Sequence, residues 1–457
     1  MEEITMEKLV ALSKQHGFIF QGSEIYDGLA NTWDYGSLGV ELKNNVKKCW
    51  WKRFIQQSNN SYGVDAAILM NPKVWEASGH VSGFSDPLID CKECKTRHRA
   101  DKLIEQFTTE INPDTLSDTE MVSYIKEHNI VCPKCGKMNY TDIRQFNLMF
   151  ETRRGVIKDD KSGLVYLRPE TAQGEFVNFL NVQRTMRAKL PFGIGQIGKA
   201  FRNEITPGNF TFRTIEFEQM EHQLFCKEGN DSKLYEMYKE KAMDLLKDFN
   251  IDIKKLRYKD HEKLAHYAKE ACDIEYKFPF GWGEVWGTHN RTNYDLSRHQ
   301  EFSKRSMEYL DPETNEKYIP YVVESSVGCD RLTLTVLMDA YKQDTLENGE
   351  VRERMAFIPA LAPYKVAVLP LMKKYHTEKA NEIYNLLSKE FMTSYDEAGN
   401  IGKRYRRQDI MGTPFCITID DETLNNNKVT LRDRDSMEQI TLDINELVEY
   451  IEKKVRF

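Results

Sequence analysis

The stretch AFRNEITPGNFTFRTIEFEQMEH, from Ala200 to His222, most narrows what this chain can become. Both flanks read as strands, and Thr206-Pro207-Gly208-Asn209 separates them as a turn. Sheet interiors exclude charge, yet the flanks carry Arg202, Glu204, Arg213, Glu216, Glu218 and Glu221. Strand side chains alternate faces. Arg202 and Glu204 therefore share one face, and Ile215, Phe217, Gln219 and Glu221 share one on the return strand. One patch of sheet then presents a guanidinium, carboxylates and a flat ring together. These groups suit a nucleoside triphosphate, because arginine grips phosphate through a bidentate fork and a phenyl ring stacks on a base. A solvent-exposed hairpin laced by salt bridges is the competing reading of the same charges.

A second element bears on that choice. In ESSVGCDRLTL a strand ends, Gly328 turns the chain, and Arg331 opens a helix. A helix N-terminus favours anions, and Arg331 adds a full positive charge there. Gly328 permits close backbone approach. Two arginines on separate elements, Arg202 and Arg331, can hold opposite ends of one triphosphate. By contrast GIGQIG, with Gly193, Gly195 and Gly198, lacks the strand-before, helix-after setting of a dinucleotide site. It reads as a glycine-rich approach to a strand.

Periodicity places the rest. Residues 36–57 predict a long amphipathic helix with Leu38, Leu42, Val46, Cys49, Trp50 and Phe54 on its apolar face, followed by a strand, DAAILMNP, ended by Pro72. Residues 168–190 predict a second helix, 317–327 a strand and 328–343 a helix. The polar stretches at about 88–145 and 226–275 read as insertions, the latter Lys/Glu-rich and helical. After Pro359 and Pro363 the pattern changes to short strands and helices of a small mixed α/β unit. The expected fold class is α+β, with one domain over 1–359 and another over 360–457. A chain of 457 residues accommodates that division, and its longest apolar runs fall short of a membrane span. The N-terminal MEEITMEKLVALSKQHG has acids where a targeting peptide has bases, so a cytoplasmic location is expected. A net charge of −7 argues against a non-specific nucleic-acid coat but leaves a specific RNA partner open. The densest basic patch is GKRYRRQD, Gly402–Asp409, read either as an RNA contact in which Tyr405 stacks on a base or as a solvated loop.

Of the nine cysteines, four form two Cys-x-x-Cys pairs: Cys91 with Cys94 and Cys132 with Cys135. Four thiolates make a closed tetrahedral zinc site. Four reduced, metal-free cysteines are the alternative.

In this context FRNE…FRTIEFEQME resembles motif 2 of the class II aminoacyl-tRNA synthetases, and GCDR resembles motif 3. The helix at 36–57 with its following strand is similar to motif 1, the dimer-forming element. NTWDYGSLGVELKNN, TRHRADKLIE, RPETAQG, RTNYDL and ESSVG look like the dimeric glycyl-tRNA synthetases of class IIa, over nearly the whole chain. Ser325 departs from the family, where many members have proline.

The resemblance implies an antiparallel class II sheet flanked by helices, a C-terminal anticodon-binding domain, and a homodimer. It implies ATP with Mg²⁺, glycine and tRNA(Gly) as partners, without a membrane, and formation of glycyl-adenylate followed by transfer to the tRNA 3′ end. Carried over by position, Arg202 would bind the α-phosphate and Glu204 the adenine amino group. Phe217 would stack on adenine, with Arg331 on the opposite face or on the γ-phosphate, and Arg213 would reach the distal phosphates. Asn203, Phe212, Glu284, Val285 and Gly328 complete the expected ATP set, with Glu284 and Glu324 as candidate Mg²⁺ ligands. Arg99, Glu170, Gln219, Glu221, Arg291, Glu324 and Ser326 would surround the glycine. Because glycine has no side chain to grip, selection must work by excluding larger amino acids. Three alternatives stay open: a synthetase for threonine, proline or serine; a non-catalytic relative; and diadenosine polyphosphate synthesis as a side activity.

Overall fold

The computed structural model describes residues 4–108, 110–155, 163–204, 208–262, 264–265 and 267–457. Its centre is a seven-stranded sheet. In chain order the strands are β1 (Ser61–Gly63), β2 (Phe192–Phe201), β3 (Glu216–Cys226), β4 (Leu256–Asp260), β5 (Glu270–Phe278), β6 (Gly281–Thr292) and β7 (Tyr321–Gly328). Their spatial order is β4-β5-β6-β7-β3-β2-β1, antiparallel throughout except for the parallel edge pair β1 and β2.

Four helices matter to the site: α1 (Ser37–Trp51), α2 (Ala172–Val177), α3 (Asp231–Asp248) and α4 (Cys329–Ala340). The predicted apolar stripe of α1 is buried, including Leu42, Val46 and Trp50, and the helix continues as a π-turn over Lys52–Gln56 that buries Phe54. Lys43, at the edge of that stripe one turn before Val46, is also buried and pairs with Asp330 at 2.7 Å and Glu218 at 3.1 Å. The main core lies between α1, α4 and the sheet, around Trp50, Phe54, Met220, Trp286, Leu332 and Leu337.

GIGQIG lies within β2, inside the sheet. A Cβ on Gly193 would stand 2.1 Å from the His222 ring, and one on Gly198 would stand 2.2 Å from the Arg168 guanidinium. These glycines make room for side chains laid across the strand. Of the hairpin turn, Thr206 and Pro207 lie outside the described residues; Asn209 takes a left-handed conformation at φ 56°, and Gly208 bridges to Arg213.

Several expected elements differ. DAAILMNP is irregular apart from a bridge between Leu69 and Leu167. Pro72 opens a helix, Pro72–Ala77, capped by the Asn71 side chain, since proline fits a first helical turn as well as a strand end. The helix expected at 168–190 begins at Ala172 and breaks at Asn178, whose amide donates to the Gly174 carbonyl at 2.8 Å. The last helix stops at Ala340 because Tyr341–Thr345 turns into a hairpin with Val351–Met355. Among the described residues of 226–275 the α-helix spans Asp231–Asp248, in the first half. Leu256–Asp260 is an exposed, charged edge strand, and such charge protects a sheet edge while imitating a solvated helix in sequence.

The cysteine-bracketed region forms a three-stranded sheet (Ser85–Asp90, Arg97–Arg99, Arg144–Asn147) with a separate apolar cluster around Ile89, Leu103, Ile104 and Ile125. The C-terminal region is a five-stranded mixed sheet of β8 (Val366–Pro370), β9 (Thr393–Tyr395), β10 (Phe415–Ile419), β11 (Lys428–Asp433) and β12 (Gln439–Asp443). Helices α5 (Lys373–Leu387), α6 (Ile401–Met411) and α7 (Leu447–Val455) accompany it. Its apolar core, around Val366, Val368, Ile417 and Ile451, is distinct from the main one. GKRYRRQD falls on α6. Arg404 is buried and donates to the Gly399 carbonyl at 2.6 Å and to the Pro370 carbonyl. The Tyr405 hydroxyl lies 2.6 Å from Thr418 Oγ1, with the Arg432 guanidinium 4.7 Å over its ring. Arg404 and Tyr405 are therefore internal, and only part of the basic run faces solvent.

Candidate active site

Strand register assembles the site. Gln219 stands opposite Gly328, Glu221 opposite Ser326 and Gln223 opposite Glu324 across β3 and β7. On the other side of β7, His289 stands opposite Glu324. Paired residues point to the same face, so one side of the sheet becomes strongly polar while Met220, Val285 and Trp286 enter the core. Above this polar face lies a cavity of about 230 Å³, lined among others by Arg202, Phe217, Glu221, Arg291, Glu324 and Arg331.

One set of lining groups is rich in arginine and aromatic rings. The Arg202 guanidinium lies 5.3 Å from the Phe84 ring and 5.4 Å from Phe217, and its Nε donates to the Pro169 carbonyl at 3.0 Å. Among the described residues no side chain or carbonyl engages its terminal nitrogens. Arg331 rests on the Phe212 ring at 4.5 Å, donates through Nε to the Phe212 carbonyl at 2.9 Å and pairs with Glu284 at 3.1 Å. Arg213 pairs with Glu204 at 3.1 Å. Asp330 fixes the start of α4: one oxygen accepts from Lys43 and from the Tyr35 hydroxyl at 2.8 Å, the other from the Glu218 N–H at 2.6 Å. A Cβ on the N-cap residue, Gly328, would come no nearer than 3.7 Å to any neighbour, the Arg331 side chain being the first it meets.

The other set is a wall of carboxylates. Glu221 accepts from the Ser326 hydroxyl at 2.7 Å, the Thr171 N–H at 3.0 Å, the Thr171 hydroxyl and Gln219 Nε2 at 3.3 Å. Burial, together with repulsion from Glu324 and Glu170, pushes its carboxyl up to about 7 despite those hydroxyls. Burial opposes the charge of Glu324 too, but Arg291 at 3.2 Å and His289 at 2.9 Å outweigh it and hold the carboxyl down at about 2. Glu170, 3.3 Å from His80, is likewise held below the usual range against its burial. Arg291 is completed by Asp295 at 2.8 Å and by the Tyr267 ring at 4.2 Å. Ser325, on the opposite face of β7, accepts from Trp286 Nε1 at 2.9 Å, a role proline lacks.

The structure thus brings Arg202, Glu204, Phe212, Arg213, Phe217, Glu284, Gly328 and Arg331 together with Glu170, Gln219, Glu221, Arg291, Glu324 and Ser326 around one cavity. It does not bring three expected residues to that lining. Val285 is the extra residue of a β-bulge, where Trp286 stands opposite Ile274 but Glu284 opposite Glu275, and it enters the core beside Trp286. Asn203 is set by its backbone N–H on the Leu148 carbonyl at 2.9 Å. Arg99 stays in the insertion, paired with Asp86 at 3.0 Å and Asp101 at 2.6 Å. Sequence reasoning missed Tyr267, His289, Thr211, Thr214 and Asp330 in the lining, and Thr171 and His80 behind it. His289 lies two positions before Arg291 on β6, so alternation alone would have found it. Nothing local marks His80.

The four paired cysteines converge. Cys91 and Cys135 sulfurs are 3.6 Å apart, as are those of Cys94 and Cys132, and all four lie within 4.8 Å of one another. Each pair sits in the same turn: the Lys95 N–H donates to the Cys91 carbonyl and the Gly136 N–H to that of Cys132, with Lys95 and Gly136 both at positive φ. A tetrahedral Zn–S bond of about 2.3 Å places sulfurs about 3.8 Å apart, so this donor set fits zinc.

Comparison with known proteins agrees with this geometry. Residues 154–341 match the tRNA synthetase class II core domain (G, H, P, S and T), residues 365–454 the anticodon binding domain, and residues 86–123 and 116–148 the glycyl-tRNA synthetase insertion domain 1. The chain is 58% identical to glycine–tRNA ligases of Clostridium kluyveri and Clostridium acetobutylicum, each alignment covering 100% of this chain and 99% and 100% of the respective relative. The Acetivibrio thermocellus glycine–tRNA ligase is 58% identical over 99% of both chains. Among solved structures, Giardia lamblia prolyl-tRNA synthetase in complex with prolyl-adenylate shares the fold with a TM-score of 0.64 at 13% identity, over 98% of this chain and 76% of that one. With a class II core, an anticodon-binding domain and full-length identity of this order, the chain belongs to the glycine–tRNA ligase family.

Proposed function

We propose that this chain activates glycine with ATP to glycyl-adenylate and transfers glycine to the 3′ end of tRNA(Gly). The observation that carries this reading is the juxtaposition of unpaired Arg202 donors with the carboxylate wall of Glu170, Glu221 and Glu324 in a single small cavity. Arg202 would receive the α-phosphate and neutralise charge as the glycine carboxylate attacks phosphorus and pyrophosphate leaves. Phe217 and Phe212 offer stacking faces to adenine, and Arg331 and Arg213 offer charge to the remaining phosphates. The glycine ammonium fits the carboxylate wall, while Thr171, Gln219 and Ser326 fill the space a larger side chain would need. Catalysis then rests on positioning and fixed charge.

ATP would enter with Mg²⁺, which screens phosphate charge. Glu284, half-exposed at the cavity, suits this hard cation, whereas both oxygens of Glu324 already accept from Arg291, His289 or Gln223. We further assign a structural zinc to the four cysteines, a dimer built through α1 and its neighbouring segments, a cytoplasmic location, and a domain division at about residue 360. Amino-acid-dependent ATP–pyrophosphate exchange across all twenty substrates tests the function: glycine alone should support exchange, and a threonine, proline or serine preference would overturn it. Metal analysis should find about one zinc per chain; a zinc-free, folded protein would refute that site.

A further inference from the structure

Glu175 lies on α2, three residues beyond the Ala172 that opens it, and is fully buried. Among the described residues neither of its carboxyl oxygens has a hydrogen-bond partner, although the Gln223 N–H lies close enough to favour its charged form. Helix α2 packs on β2 and β3, over the face that carries Glu221 and Gln223. Gln223 is also fully buried. Its Nε2 donates to Glu324 Oε2 at 2.8 Å, which fixes the amide orientation because Glu324 is already an acceptor for Arg291. Gln223 Oε1 is thereby turned away from Glu324, and it too is buried without a donor among the described residues. An ionised Glu175 would add a bare carboxylate beside an orphan carbonyl, a costly pair. A neutral carboxylic acid supplies the O–H donor that this pocket lacks.

We propose that Glu175 is retained as a neutral acid whose O–H donates to Gln223 Oε1, making it a positioning residue that orients Gln223 and, through it, Glu324 at the glycine end of the cavity. The surrounding charges favour this state. Burial raises the Glu175 carboxyl well above its ordinary value, and Glu221, Glu324 and Glu170 raise it further; of its main influences only the Gln223 N–H works the other way. Arg168, whose charge Glu175 influences, spends Nε and Nη1 on the carbonyls of Lys199 and Ala66, at 2.6 and 2.8 Å. On the packed helix Tyr294–Ser303, Asp295 is taken by Arg291 and His299 bonds to Gln173 at 2.8 Å. Tyr238, which Glu175 influences from across the sheet, bonds to His222. The inference rests on the reading that this cavity takes glycine, but its first test does not.

Infrared difference spectra of the full-length protein against Glu175→Gln, at pH 8.5 and with ¹³C-labelled glutamate, should reveal the carbonyl stretch of a protonated carboxylic acid that the variant lacks. Absence of that band overturns the proposal regardless of substrate. In exchange assays Glu175→Gln, whose amide can donate to Gln223, should keep the glycine KM within about twofold. Glu175→Leu should raise it about tenfold, the loss of one hydrogen bond to a buried acceptor, with the ATP KM unchanged. Equal glycine KM values for Gln and Leu variants would also sink it. A Glu175→Leu/Gln223→Leu double-mutant cycle should be non-additive in glycine KM, and strict additivity would exclude the pairing.

Discussion

The cavity and the junction with the C-terminal region both depend on arginines meeting carboxylates, yet they use them in opposite ways. At the junction Asp409 is fully buried and receives Arg432 at 2.9 Å, Arg352 at 3.4 Å and Arg406 at 3.5 Å. Arg352 also reaches Asp344 and the Arg434 carbonyl, while Arg434 donates to the carbonyls of Gly412 and Phe357. Donors there are spent on the protein itself, so the cluster ties the Tyr341–Met355 hairpin to α6 and β11. In the cavity Arg202 is held by one backbone carbonyl and two rings, and among the described residues nothing takes up its terminal nitrogens. The difference teaches that uncommitted hydrogen-bonding capacity, rather than charge density, separates a binding site from a structural ion cluster.

Substitutions can break this contrast, and the largest effect belongs to the structural side. Asp409→Ala leaves the buried Arg432 without its carboxylate and takes one of two from the buried Arg352, and should cost about 3–5 kcal/mol of stability. Denaturant unfolding reads that loss, while exchange activity per folded molecule stays near wild type. Arg202→Ala inverts the pattern: exchange should fall by about 10²–10³-fold with the unfolding midpoint almost unmoved. Equal losses of stability and activity in either variant would dissolve the distinction.

A finer test uses acidity. The Glu221 carboxyl titrates at about 7, raised by burial and by Glu324 and Glu170. Below that value it is neutral and attracts an ammonium weakly; above it the charge is present. The glycine KM should therefore fall as pH rises from about 6 to 8, by up to roughly tenfold per unit at the steepest point. Glu221→Gln, which cannot ionise, should show a flat profile at the weak-binding level. The smallest effect is expected at Arg406, whose side chain is 41% exposed at the rim of the junction. Arg406→Ala should change stability by less than about 1 kcal/mol, because solvent screens an exposed pair. A loss comparable to that of Asp409→Ala would mean that the whole cluster, rim included, acts as one unit.

Much of the site was legible in the chain because strand alternation is a local rule. Phe217, Gln219 and Glu221 on one strand, and Glu324 with Ser326 on another, follow from counting by two, as does the placement of Arg331 at a helix start. The same rule fails at Val285, because a β-bulge turns both Val285 and Trp286 into the core while Glu284 faces the cavity. Local reading failed where one composition serves two structures. The charged edge strand Leu256–Asp260 passes for a solvated helix, and Pro72 serves a helix start as readily as a strand end.

The amino-acid order alone determined which kinds of group exist and which of them share a strand face, since those properties depend on residues only a few positions apart. It also paired the cysteines within each knuckle. Tertiary structure decided which charges are left open: Arg202 remains available while Arg404 is spent on carbonyls, although both sit in equally charged runs. It likewise decided that Thr171 would hold Glu221, that Lys43 would hold Asp330, and that the two cysteine knuckles would meet. The physical reason is that a hydrogen bond or ion pair is satisfied by whatever partner packing brings within about 3 Å, and those partners lie tens to hundreds of residues away along the chain.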